Sequence, residues 1–104
     1  MERGFNMKAR QFYNKNQFII EEREKNILVF QSYDSEIIKI ENGLVWFGRN
    51  WDYSKTTLKH LYLFLNEYCP SIWELIQDNY KISYKNTIQL LIDKDVLNYD
   101  YNLI

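Results

Sequence analysis

The chain reads as an α+β domain, a three- to four-stranded antiparallel β-meander followed by three α-helices. Three observations predict this fold. Short apolar runs broken by charged or turn residues fill residues 18–47, whereas residues 55–95 carry apolar side chains at helical spacing. Between the last two runs, Asn42-Gly43 marks a two-residue hairpin. At 104 residues the chain has the size of one domain with a single modest core.

Residues 1–17 hold Arg3, Lys8, Arg10 and Lys15 against one acid, Glu2, with few apolar anchors. They are expected to form a basic, partly ordered arm. Phe18-Ile19-Ile20 and Ile27-Leu28-Val29-Phe30 are β-prone runs, and the charged stretch from Glu21 to Asn26 reads as the solvated turn joining them. Glu36 to Glu41 and Leu44 to Phe47 flank Asn42-Gly43. Both central positions of a type I′ turn need positive φ, which Asn and Gly accept. A two-residue turn then sets the register: Ile40 opposite Val45 and Ile38 opposite Phe47 on the expected core face, Lys39 opposite Trp46 on the other.

Gly48-Arg49-Asn50 should end the sheet. Ser54 is the expected cap of a helix running to about Tyr68, with Asp52 as the competing cap. Leu58, Leu61, Tyr62, Leu65, Tyr68 and Cys69 make an apolar stripe on that helix, and Cys69-Pro70 should stop it. Two shorter patterns follow, Ile72-Trp73-Ile76-Tyr80 and Tyr84-Ile88-Leu91-Ile92, with Ser71 and Ser83 as candidate caps. Residues 98–104 lack periodicity and are expected to be extended.

The formal charge of -1, from 13 basic and 14 acidic residues, excludes bulk charge as the basis of binding to a polyanion or of mimicking one. A single cysteine, Cys69, excludes an internal disulfide and a cysteine-based zinc cage, which points to a reducing cytoplasm. No apolar run is long enough to span a bilayer, so no membrane partner is expected. Ile, Asn, Lys, Tyr and Phe dominate while Ala and Pro occur once each, the bias of an AT-rich genome.

His60 is the only histidine and the first candidate for acid–base chemistry. On a helical wheel it lies opposite the apolar stripe, beside Thr56, Leu63 and Glu67, with no Ser or Cys spaced to meet it. That is a solvated or partner-facing position. Asp52 reads as a turn or cap residue, Cys69 as a small buried hydrophobe, and Trp73 as core packing. No catalytic, cofactor-binding or metal-ligating set is expected. Trp46 and Trp51, with Arg49, remain candidates for stacking bases or docking a protein.

The run Trp51-Asp52-Tyr53-Ser54-x-Thr56-Thr57-x-Lys59-His60 resembles a segment of small proteins carried by phages and plasmids of low-GC Gram-positive bacteria. There it opens a helix after a short β-meander. The resemblance extends over roughly residues 26–68, implies an accessory gene of such an element, and supplies no catalytic residue. The expected function is non-enzymatic binding of a host protein or nucleoprotein complex, as by an anti-CRISPR inhibitor of host defence. A DNA-binding accessory or regulator is the alternative, and a small nuclease built on His60 ranks last. Leu63 stands alone among polar neighbours, so the expected partner surface comprises Trp46, Arg49, Trp51, Thr56, Lys59, His60, Leu63 and Glu67.

Overall fold

Among the described residues six strands form one sheet in chain order, and three helices lie in the connection between its last two strands. A computed structural model describes residues 7–104. Strands β1 (Met7–Phe12), β2 (Asn14–Glu22), β3 (Ile27–Ser32), β4 (Ser35–Glu41) and β5 (Leu44–Gly48) pair antiparallel, neighbour to neighbour. Helices α1 (Lys55–Tyr68), α2 (Pro70–Asp78) and α3 (Tyr84–Asp93) follow. The chain then returns as β6 (Asn98–Asp100), which lies parallel to β5.

The α+β class therefore holds, but three to four strands is an undercount and the sheet is mixed. One added strand comes from the expected arm. Residues 7–17 form β1 and the first part of β2, paired from Met7 opposite Glu22 to Gln11 opposite Phe18. Strand pairing uses the backbone alone, and lysine and arginine on an edge strand deter further pairing rather than prevent the strand. Phe12 supplies the buried anchor. The arm before Met7 lies outside the described residues. The other added strand, β6, comes from the extended tail.

Asn42 (φ 51) and Gly43 (φ 83) take the positive φ of a type I′ turn. The pairing that follows sets Ile38 opposite Phe47, Lys39 opposite Trp46 and Ile40 opposite Val45. Between β2 and β3 the charged stretch closes through a short 3-10 turn at Arg23–Lys25 and left-handed Asn26. Gly48 ends β5 under a close approach: Arg49 N donates to Leu103 O at 2.9 Å, drawing the C-terminal segment against the strand end.

Ser54 accepts from Thr57 N at 3.1 Å and caps α1, so Asp52 is not the cap. Pro70 opens α2 with Cys69 at its N-cap and no side-chain bond. The Ser71 cap is thus wrong by two positions: proline's fixed φ and missing N–H suit the first helical residue, which starts the helix earlier. Ser83 caps α3, accepting from Asn86 N at 3.0 Å.

The core lies between the sheet and α1. Phe64 stacks on Phe30 with centroids 5.5 Å apart, and Phe12 meets both rings edge-on at 5.7 and 6.1 Å. Ile19, Ile38 and Phe47 complete the sheet side, fully buried. The α1 face buried here is Thr57, His60, Leu61, Phe64 and Leu65, turned from the expected stripe. Helix α1 is packed on two sides, so Leu58 and Tyr62 serve the helical layer while Thr57 and Phe64 serve the sheet. The Ser32 and Thr57 hydroxyls, 2.8 Å apart and buried, pin α1 to β3. Among the described residues no helix is long and apolar enough to cross a membrane.

Candidate functional site: a lysine-rimmed groove on the helical layer

With its sheet side buried, α1 presents a second stripe away from the sheet. Lys55, Leu58, Lys59, Tyr62, Leu63 and Asn66 recur three or four residues apart, and Trp73 of α2 walls one side of the open groove they line, about 640 Å³ in volume. Leu58, Tyr62, Leu63 and Trp73 are half-buried, whereas Lys55 and Lys59 stand exposed one turn apart. Among the described residues no carboxylate lines the groove. Neither lysine has an ion-pair partner among the described residues, so two positive charges edge an apolar floor.

The wall is held by an aromatic cluster that joins all three helices. Tyr62 stacks on Trp73 at 5.6 Å and meets Tyr84 edge-on at 5.4 Å, while Trp73 and Tyr80 each lie 4.9 Å from Tyr84. The rings therefore spend their faces largely on one another. Burial, and then the neighbouring Tyr80 and Tyr84, hold the Tyr62 hydroxyl above its ordinary pKa. It stays protonated near neutrality, so the lysines alone set the charge of the groove.

Residues 5–78 match the model of a protein family of unknown function, DUF8033. The chain belongs to this family. No curated protein and no solved structure matches it. The DUF8033 span contains β1 to β5, α1 and α2, and with them the whole groove, whereas α3 and β6 fall beyond it.

In this DUF8033 chain the eight residues expected to form a partner surface do not converge. Lys59 and Leu63 line the groove. His60, expected to be solvated, is only 4% exposed, and its Nδ1 donates to Thr56 O at 2.8 Å. A helical wheel drawn on one apolar stripe misplaced it, because the sheet contact falls one position away from that stripe. Trp51 is a core residue, 3% exposed and edge-on to Phe47 at 6.3 Å. Trp46 is half-buried on the far side of the sheet, opposite Lys39 and Asn98.

The rest are scattered. The Arg49 guanidinium lies over the Tyr101 ring, 4.4 Å from its centroid. Thr56 borders a separate hollow with Tyr33 and Tyr53. Glu67 accepts from Tyr13 Oη at 3.0 Å, and that bond, then the carboxylate charge, raises the Tyr13 pKa. Asp52 stands 3.9 Å from Lys85. Burial pushes the Cys69 thiol up to about 12, so it stays protonated and unreactive near neutrality.

Sequence reasoning missed Lys55, Leu58, Tyr62, Asn66 and Trp73 as groove residues. A signal was present in the spacing 55, 58, 59, 62, 63, 66, which lays two lysines, two leucines, a tyrosine and an asparagine along one strip of helix. Trp73 carried no such signal, since only the turn at Cys69-Pro70 brings it alongside. Among the described residues, no three His, Cys, Asp or Glu side chains gather as a metal site.

Proposed function

We propose that this DUF8033 chain is an accessory protein of a phage or plasmid that works by binding in the host cytoplasm, occluding a surface of a host defence complex in the manner of an anti-CRISPR protein. The observation that carries this reading is the α1–α2 groove: an apolar centre of Leu58, Leu63 and Trp73 edged by Lys55 and Lys59. An apolar centre with a polar rim is the anatomy of a protein interface, and a half-buried tryptophan beside lysine suits an anchor point. The likeness of the Trp51 to Leu65 run to phage and plasmid proteins supports the setting, as does the AT-rich composition.

The test is inhibition of host defence, together with recovery of the complex on the tagged protein, for wild type and Leu63→Glu. A charge placed at the groove centre should abolish both while the melting temperature stays within a few degrees of wild type. Full inhibition by a folded Leu63→Glu protein would refute the reading. A DNA-binding role is the second reading, favoured by two lysines without carboxylate partners beside Trp73. It predicts retention on DNA that falls steeply with salt and weakens in Lys55→Glu/Lys59→Glu, with no host protein recovered.

A further inference from the structure

We infer that the groove's occupant is an acidic amphipathic helix of the partner, about three turns long, laid along α1. This rests on the binding role proposed above and adds the chemistry of what is bound. Lys55, Leu58, Lys59, Tyr62, Leu63 and Asn66 span twelve positions of α1, eleven steps and so a strip about 16 Å long at the helical rise. Their spacing is the pattern on which a second helix seats its own side chains, ridge into groove. An extended strand would present side chains at a period of two and meet this strip out of step.

Charge decides the sign of the partner. Among the described residues the lining holds two lysines and no acid; the lysines lie in the N-terminal half of α1 on either side of Leu58, with Leu63 beyond them and an amide, Asn66, at the far end. A complementary helix carries carboxylates near one end and aliphatic side chains over Leu58, Leu63 and Trp73. Two other occupants fit less well. Nucleic acid would satisfy the lysines, but base stacking needs free aromatic faces, and Tyr62 and Trp73 are stacked on each other at 5.6 Å. A second copy of this chain pairing α1 on α1 would bring no carboxylate from its own groove lining to meet the lysines.

The experiment uses two labelled synthetic helical peptides of about 14 residues, identical on the apolar face, one flanked by glutamate and one by lysine. Fluorescence anisotropy against the full chain should show the acidic peptide binding at least about tenfold more tightly than the basic one. Lys55→Glu/Lys59→Glu should reverse that order, and Leu63→Asp, folded by circular dichroism, should weaken both peptides by tenfold or more. Equal affinity for the two peptides, no reversal in the lysine variant, or no binding of either overturns the inference. So does displacement of the acidic peptide by an oligo-dT strand, which assigns the groove to nucleic acid, or a dimer in sedimentation that Leu63→Asp dissolves. If the peptides fail but Leu63→Glu still abolishes host-complex recovery, the occlusion reading stands without the helix. If the peptides bind as stated and that recovery is unaffected, the occlusion reading falls alone.

Discussion

Alanine at Gly48 should cost more than alanine at Gly43, although Gly43 is the one held at positive φ. A Cβ on Gly48 would stand 2.5 Å from Glu36 O and 2.8 Å from Leu103 O, both backbone atoms, and 3.1 Å from Leu103 Cγ. Carbon and carbonyl oxygen ordinarily approach to about 3.3 Å, so the two segments would have to retreat by roughly 0.5–0.8 Å. Overfilling of this kind costs about 1–3 kcal/mol. Movement of Leu103 also strips the bond it accepts from Arg49 N at 2.9 Å, worth about 1 kcal/mol more. The sum is about 2–4 kcal/mol, a large part of the roughly 5–15 kcal/mol typical of a domain. At Gly43 nothing lies within 4 Å of the added Cβ, and only the φ of +83° is penalised, by about 1–2 kcal/mol. Urea unfolding followed by tryptophan fluorescence measures both, and the Arg49 amide should exchange faster in Gly48→Ala. A Gly48→Ala midpoint within about 0.5 kcal/mol of wild type, or a smaller loss than Gly43→Ala, would refute the clash.

Three further outcomes follow from single contacts. Ser54→Ala removes the acceptor of Thr57 N at 3.1 Å and should lower stability by about 1 kcal/mol in thermal melts; an unchanged melt would contradict the cap. Gln17 is fully buried with Nε2 and Oε1 unpaired among the described residues, so Gln17→Met should raise the urea midpoint by about 1 kcal/mol, and a fall would show the amide to be stabilising. The Cys69 thiol, raised from 9.0 to about 12, should react with a thiol reagent at pH 8 on the order of a thousandfold more slowly than in urea. Because the unfolded thiol ionises first, stability is full below pH 9.0 and declines as pH rises toward about 12, by at most about 1.4 kcal/mol per unit. Cys69→Ala should flatten that decline; an identical slope would rule out the thiol as its source.

What could be read before folding was what the chain decides locally. Asn42-Gly43 set its turn and the pairing of Ile38 with Phe47, Ser54 and Ser83 set two helix starts, and Cys69-Pro70 set a helix end. Strand β1 was hidden because its exposed lysine and arginine mimic the composition of a solvated arm, while the pairing that makes it a strand lies in the backbone. Strand β6 has three residues, and its partner β5 is remote in the chain, so no local pattern announces it. The groove was half legible. Lys59 and Leu63 emerged from one helix's periodicity, but His60 was read as solvated or partner-facing because periodicity does not reveal which of two packed sides of α1 meets the sheet. Trp51, read as a stacking or docking candidate, is buried against Phe47 by a turn whose path no local pattern gives. Trp73 joins the site across a helix junction.

Strands β1 to β5 close against neighbours a turn away, whereas β6 reaches β5 only after the excursion through α1, α2 and α3. Chain entropy charges for that closure only slowly with length, yet three paired residues and the Leu103 contact return little against it. The margin at β6 is therefore the part of the sheet with the lowest opening free energy, and amides of Tyr99 and Asp100 should exchange with solvent well before those of β3 and β4. Opening there leaves α1 moored through Ser32, Thr57 and Phe64 and frees only the C-terminal end of α3, because Tyr84, which props Trp73 against Tyr62, starts that helix at its other end and is separated from β6 by buried Ile88 and Leu91. The sheet margin and the groove therefore open independently: a ligand that holds Trp73 in place should leave the fast exchange of Tyr99 and Asp100 unchanged.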